Sequence, residues 1–305
     1  MKIVLYIHHG KGIGGAPISL FNLISKLDRN EFKPVVLFLY NSDAVKLAKE
    51  KNIEFIGPVN RSDFSHTKIW WYRWCHPHHF FRAVKDSLIL YFGEAKNWIQ
   101  KVKPDIVHLN TSSLLAWGIV AKRMDIPVVW HIREPLAPGY FGLRRFLVRK
   151  IIEKYATKIV PICQNDAAPW QGSEKLEVVY NAVDLEQFNQ NIFCKKFRAK
   201  IEESEGVPII LYMGGVSKEK GTHIILESFK NVLKTIPSAK LVIAGYWGPP
   251  KKRLFSFLKS PSEKFYKQVT ELAAELNDSL ILLGPVTNVP EIMAAATCLV
   301  FPATV

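Results

Sequence analysis

The sequence predicts an α/β protein built from two parallel-sheet domains, each with helices on both faces of its sheet. Short continuous apolar runs recur along the chain, as strands buried on both faces require. The segments between them are long enough for crossover helices. This rhythm pauses near residue 185 and restarts near residue 207. The length of 305 residues agrees, being about twice that of an ordinary domain.

In chain order, residues 2–7 (KIVLYI) form a continuous apolar run, a glycine cluster follows, and residues 16–27 place apolar side chains at helical spacing. Strand, loop and helix are expected. Further strand-like runs lie at 35–40, 53–56, 105–109 (DIVHL), 127–131 (PVVWH) and 158–162 (KIVPI). The second series comprises 207–214 (VPIILYMG), 240–245 (KLVIAG), 280–284 (LILLG) and 298–302 (CLVFP). Residues 186–206 are polar and charged without a strand pattern and read as a linker between domains 1–185 and 207–305. Ligands of open α/β sheets sit at the carboxyl ends of the strands, so two such domains are expected to bind between them across a cleft.

Hydrophobic residues make up 48% and charged residues 22% of the chain, which excludes disordered and collagen-like classes. Cys75, Cys163, Cys194 and Cys298 are widely spaced, so neither a disulfide framework nor a Cys-x-x-Cys site is expected and a reducing, cytoplasmic setting fits. No apolar run approaches the roughly 18 residues of a membrane span. The formal charge is +14, with +9 of it in residues 1–190; such an excess favours anionic partners, whether nucleic acid, lipid headgroup or phosphorylated substrate.

Gly10, Gly12 and Gly15 match the dinucleotide pattern G-x-G-x-x-G before a helix. That pattern also needs an acidic residue at the end of the second strand, where the chain reads Tyr40-Asn41 with Asp43 beyond. The glycines alternatively permit a tight turn, or free helix N-terminal amides to meet a phosphate or a sugar hydroxyl.

Five segments, GGAPISLFNLISKL, PDIVHLN, VVYNAVDLEQF, MGGVSKEKG and LGPVTNVPEIMAAATCLVFP, stand in an order that resembles glycosyltransferase family 4. The resemblance implies a GT-B-like fold, two Rossmann-like doubly wound domains facing across a cleft, with the second incomplete here. It implies retaining transfer from a nucleoside diphosphate sugar, which is a substrate and not a cofactor. By the resemblance, Gly14, Gly15 and Gly214 approach the donor, Lys220 grips its diphosphate, Val286, Thr287 and Val289 border the base, and Glu291 opens the following helix. A lysine and helix amides can stabilise a departing diphosphate as the sugar becomes oxocarbenium-like. No metal is expected, since no Asp-x-Asp pair occurs.

The chain departs from the family pattern in three places. Gly215 stands where members usually have an arginine, and Asn110 follows His108 where many have a second histidine. The segment with two sugar-binding glutamates would lie beyond Val305, so residues 1–305 alone are expected to be an inactive fragment. His131 to Pro135 (HIREP) close the fifth strand of the first domain. His108, His131 and Glu134 then fall on the acceptor side, and Arg133 either supplies the cation that Gly215 lacks or pairs with Glu134 at the surface. Lys220, Asn110 and Arg133 are the candidate catalytic residues.

Residues 69–82 (IWWYRWCHPHHFFR) crowd aromatic rings with histidines. Their spacing does not suit zinc; the rings fit a membrane interface, sugar stacking or a packed helical insertion. Residues 144–158 carry six basic residues against Glu153, with apolar positions at helical spacing, and read as a basic amphipathic helix able to meet an anionic membrane. No strand carries an RNP-like or OB-like aromatic pattern, so nucleic acid is not expected as a partner. The overall expectation is a cytoplasmic or peripheral transferase for a glycan or lipid-linked acceptor, acting in cell-surface polysaccharide biosynthesis. A noncatalytic nucleotide-sugar-binding protein and a nicotinamide-dependent oxidoreductase are the alternatives.

Overall fold

The computed structural model describes residues 1–10, 12, 14–61, 77–189, 197–198, 206–249 and 261–303. Residues 69–76 of the aromatic segment, the side chains of residues 77–79 and most of the expected linker lie outside the described residues. Internal contacts divide the chain into Met1–Ala182 and Val183–Val305.

The first unit contains strands β1 (Lys2–His8), β2 (Phe32–Phe38), β3 (Phe55–Ile56), β4 (Ile106–Leu109), β5 (Val128–Ile132) and β6 (Lys158–Pro161). They form one parallel sheet in the order β3-β2-β1-β4-β5-β6. The order reverses between β1 and β4, the topological position at which open sheets bind ligands. Helices α1 (Gly15–Ser25), α2 (Asp43–Glu50), α3 (Pro77–Ile89), α4 (Ala95–Val102), α5 (Leu115–Arg123), α6 (Leu143–Tyr155) and α7 (Gln164–Ala167) accompany it, with a π-helical turn at Leu90–Glu94 after α3.

Alternation along the strands explains the unbroken apolar runs. Leu5, Ile7, Val35, Leu37, Val107 and Leu109 enter the core that also holds Trp117 and Trp130. Val4, Tyr6, Val36 and Phe38 enter the opposite core with Leu20, Phe21 and Ile24 of α1. With both faces covered, the strand interiors turn little to water, and exposure is confined to the lysines that open β1 and β6.

The second unit contains β7 (Ile209–Met213), α8 (Thr222–Thr235), β8 (Lys240–Ala244), α9 (Pro261–Ala274), β9 (Leu280–Gly284), α10 (Val289–Ala295) and β10 (Cys298–Leu299). Its parallel sheet runs β10-β7-β8-β9 and again has a core on each face, one around Tyr212 and Leu241, the other around Leu211 and Val242. The buried strand expected over 298–302 is a two-residue edge strand bonded to β7, and Cys298 is exposed. An edge strand has a neighbour on one side alone.

Helix α6 covers most of the stretch expected as a basic amphipathic helix. Its inward stripe is Arg144, Val148 and Ile152, spaced four residues apart as one helix face requires. Leu143, Phe146 and Leu147 point outward, being 58%, 53% and 49% exposed. Arg144 turns inward beneath Gly139, whose φ of +49° bends the chain over it and where a β-carbon would lie 2.7 Å from the guanidinium Nε. No helix among the described residues is long and apolar enough to cross a membrane.

Helix α5 lies so close to the sheet that a β-carbon at Gly118 would run into the ring of Trp130 and lie 3.0 Å from Leu109 Cδ1. Trp130 cannot swing aside without giving up the bond from its indole N–H to Thr111 O, 3.0 Å away. Gly118→Ala is therefore expected to destabilise the first unit by about 1–3 kcal/mol, the usual cost of overpacking. Urea denaturation checks this, and an unchanged midpoint would contradict the packing described.

Candidate functional site

Strands β1, β4 and β5 lie side by side, so the residues at their carboxyl ends converge. His8, Asn110, His131 and Arg133 are all buried there. Arg133 organises the group. Its Nε donates to Asn110 Oδ1 (2.7 Å), Nη1 to Ser19 Oγ (2.7 Å) and Asn181 Oδ1 (3.0 Å), and Nη2 reaches His131 Nδ1 at 3.4 Å. Ser19 in turn donates to Asn181 Oδ1 at 2.7 Å. Buried cations persist when their donors are satisfied in this way.

An arginine only donates, so these bonds fix the protons of its neighbours. Asn110 Oδ1 is the acceptor, and the amide nitrogen faces His8 Nδ1 (3.1 Å) and the Ala16 carbonyl (3.4 Å). His8 therefore accepts at Nδ1 and carries its proton on Nε2. His131 likewise accepts at Nδ1, where His108 Nε2 also approaches to 3.2 Å, and carries its proton on Nε2. Both Nε2 atoms are buried without a partner among the described residues.

Burial, with the charges of His9 and Arg133 adding to it, pushes the His8 pKa down to about 3. Burial and Arg133 push His108 down to about 3. Burial, Arg133 and His108 hold His131 well below its ordinary value. Burial also lowers Arg133, to about 10, against the opposing pull of Glu134. At neutral pH the site thus combines three uncharged imidazoles with one cation. Glu134 is half-buried and accepts from Thr111 Oγ1 at 2.7 Å.

The sequence-derived set His108, Asn110, His131, Arg133 and Glu134 therefore gathers at one sheet end. Gly14 and Gly15 stand at the start of α1, where a β-carbon on either would meet nothing within 4 Å. Sequence reasoning missed His8, Ser19 and Asn181. His8 carried a signal, being the last residue of a strand beside a glycine cluster. Ser19 and Asn181 are 162 positions apart, and no local pattern joins them. Asp43, the carboxylate nearest the end of β2, opens α2 and is bonded to Lys46 at 2.9 Å.

In the second unit, Gly214 to Gly221 form the loop between β7 and α8, and Thr222 ties it down. The Thr222 hydroxyl is fully buried, lies 2.7 Å from Gly215 O and 2.9 Å from Ser217 O, and accepts from Ser217 N–H at 2.9 Å. Lys220 is exposed at the tip; its N–H donates to Ser217 Oγ (3.2 Å) and its carbonyl accepts from Tyr212 Oη (3.2 Å). The backbone is thus fixed while the ammonium stays free to reach outward.

Gly215 has φ +59°, and a β-carbon there would meet Tyr246 O at 2.5 Å and Tyr246 N at 2.8 Å. A side chain at this position, arginine included, would collide with that backbone. Beyond β9, Val286 is half-buried against the core, Thr287 is exposed and Val289 begins α10. The Asn288 amide donates to the Glu291 carboxylate.

Two parallel sheets, each with a core on both faces, match the architecture of GT-B glycosyltransferases, and solved structures share this fold. HepE of Anabaena, crystallised with UDP and glucose, aligns with a TM-score of 0.71 at 16% identity over 100% of this chain and 75% of that one. A glycosyltransferase from Rickettsia africae aligns with a TM-score of 0.69 at 16% identity over 99% and 73%.

The family model Glycosyltransferase Family 4 matches residues 13–187, more than half of the chain, and Glycosyl transferases group 1 matches residues 194–305. The chain belongs to glycosyltransferase family 4. Sulfoquinovosyl transferase SQD2 of Arabidopsis thaliana is 26% identical over 171 residues, 51% of this chain and 32% of that protein. Alpha-monoglucosyldiacylglycerol synthase of Streptococcus pneumoniae is 26% identical over 185 residues, 54% of this chain and 42% of that protein. The chain spans less than half the length of these curated relatives.

The neutral histidines give a pH dependence of definite sign. Unfolded histidine titrates near 6.5 while folded His8 and His108 titrate near 3, so between these values the unfolded chain binds more protons. Their contribution is complete above about 6.5 and is lost as pH falls towards 3, by up to about 1.4 kcal/mol per pH unit for each. The melting temperature of the first unit is expected to drop steadily from pH 6.5 to 4, and to drop less steeply in His108→Gln. A wild-type profile that is flat over this range would contradict the burial of uncharged imidazoles.

Proposed function

We propose that this protein transfers a sugar from a nucleoside diphosphate sugar to a glycan or glycolipid acceptor, with retention and without a metal ion, in the making of cell-surface polysaccharide or glycolipid. The observation that carries this is Lys220, an exposed cation on a loop whose backbone is pinned by Thr222, within a member of glycosyltransferase family 4. A fixed backbone with a free ammonium can meet diphosphate charge as the glycosidic bond breaks. HepE, which shares the fold, was crystallised with UDP and glucose, which supports a nucleotide-sugar donor. The name of the Streptococcus relative includes a diacylglycerol, which supports a lipid-linked acceptor.

On this reading Gly14, Gly15 and Gly214 line the donor, Val286, Thr287, Val289 and Glu291 border its base, and the buried set around Asn110, His108, His131 and Glu134 serves the acceptor side. Arg133 acts by holding Asn110, His8 and His131 in their hydrogen-bonding states, with its charge felt across the site. The specific observation favouring a noncatalytic nucleotide-sugar binder is Gly215, where the backbone of Tyr246 leaves no room for a second phosphate-binding side chain.

Turnover of a panel of UDP-, GDP- and ADP-sugars by this chain or a longer form decides between the readings. Lys220→Ala is expected to lower the rate about 10²-fold or more, and EDTA is expected to leave the wild-type rate unchanged. Loss below threefold would remove Lys220 from the reaction, and abolition by EDTA with rescue by Mg²⁺ or Mn²⁺ would establish a metal requirement.

We further propose a peripheral location on the cytoplasmic face of a membrane, a reading that α6 and the turn before it support. Phe141, Leu143, Phe146 and Leu147 are exposed there beside Arg145, Lys150 and Lys154, the mixture of apolar and cationic side chains that binds an anionic membrane surface. Cosedimentation with vesicles containing anionic lipid is expected to weaken as salt rises and to fall at least fivefold in a Phe146→Ser, Leu147→Ser variant. Equal binding by wild type and variant would exclude α6 as the docking face.

A further inference from the structure

The first unit has a surface cavity of about 310 Å³ between α3, the turn that follows it, and α5. It is lined by Val84, Ser87, Leu88, Tyr91, Leu115, Ala116 and Ile119. Water alone would fill it with roughly ten molecules at about 30 Å³ each, yet it offers them hardly any partner. The hydroxyls of Ser87 and Tyr91 are the polar side-chain groups among these residues. An apolar cavity of this kind takes an apolar ligand.

The surroundings narrow the ligand further. On α3, residues 81, 85 and 88 share one face, and they are Phe81 (68% exposed), Lys85 (exposed) and Leu88 (50% exposed). Leu88 belongs to both the cavity and this face, so the apolar lining continues outward past a cation. Tyr91 carries the guanidinium of exposed Arg123 over its ring, 4.6 Å from the centroid. Carbon inside, a guanidinium over one lining ring and Lys85 on the adjoining face of α3 are complementary to an amphiphile with an anionic head. The position is also apt, because Leu115 and Ala116 begin α5, directly after the segment from Asn110 to Leu114 that leaves the polar strand end.

We infer that the cavity between α3 and α5 binds a hydrocarbon chain of a lipid with an anionic headgroup. This rests on the lipid-linked acceptor reading above for its biological occupant, and it assigns the acceptor's tail a place distinct from the polar residues that meet its sugar or phosphate. The chain gains by burying apolar surface, and Lys85 and Arg123 hold the charged end at the rim.

The test uses dodecyl phosphate bearing a diazirine on its terminal carbon, kept below its micellar concentration, and the 305-residue protein. After irradiation, labels are expected in peptides containing residues 84–91 and 115–119. Ala116→Phe, which fills the cavity, is expected to reduce this labelling at least tenfold. Leu88→Lys does the same from a half-exposed position where folding is not at risk, and Ile236→Ser, at an exposed position of the second unit, leaves labelling intact. Label spread over the surface, or unchanged by both Ala116→Phe and Leu88→Lys, overturns the inference.

The readout needs no turnover, so it separates the two ideas. Cavity labelling in a protein that glycosylates soluble glycans alone supports the site and removes the lipid-acceptor reading. Equal KM for a long-chain acceptor in wild type and in Leu88→Lys overturns the site and leaves that reading standing.

Discussion

A buried positive charge is the constraint on which the first unit's polar region depends. Arg133 stands at the end of a parallel sheet whose faces are both sealed by hydrocarbon, so it draws its hydrogen-bond acceptors from protein. Taking a guanidinium out of water costs several kcal/mol unless its donors are met. The acceptors that meet them come from α1, from the end of β4 and from the segment after β6. One side chain therefore ties together elements distant in sequence, and the chemistry of the neighbours follows from it. Asn110 cannot flip and His131 cannot exchange tautomers while the guanidinium donates to both, and the Asn110 amide so oriented fixes the tautomer of His8.

The fold was legible in the sequence because parallel strands buried on both faces leave unbroken apolar runs. The run at residues 2–7 corresponds to β1, and that at 280–284 corresponds to β9. What periodicity could not show was where an edge begins. The runs at 53–56 and 298–302 shrink to two-residue strands, since hydrogen bonding to a neighbour, and not apolarity, decides how far a strand extends. Helix α6 was legible as a basic amphipathic helix, but the stripe it turns inward was not. Apolar spacing predicts which residues prefer the interior, but a close-packed interior takes the stripe that fits, here with Arg144 in it.

The site divides in the same way. His131 and Arg133 were legible through one rule, that open sheets bind at the carboxyl ends of their strands, while Asn110 was singled out by the family resemblance. That rule also covered His8, which lacked only a motif to single it out. The partners of Arg133 were not legible, since Ser19 and Asn181 meet through tertiary geometry. Nor did composition predict that the histidines are uncharged. Nine histidines in a chain of charge +14 suggest more cation, whereas burial beside Arg133 makes the three at this sheet end neutral donors and acceptors.

The contact between Gly215 and Tyr246 couples two positions that no sequence motif connects. Gly215 holds a left-handed conformation against the backbone of residues 245 and 246, and Gly245 is itself at φ +132° with its own β-carbon position blocked by Gly215 N at 2.5 Å. Neither glycine can gain a side chain while the other keeps its place. The family's usual arginine is therefore not one substitution away from this protein: the β8 end must first retreat, and each change alone is harmful. Substitutions at 215 and 245 are expected to be strongly non-additive, so a path that restores a second phosphate-binding cation passes through less stable intermediates. The missing charge is held in place by geometry rather than left to drift.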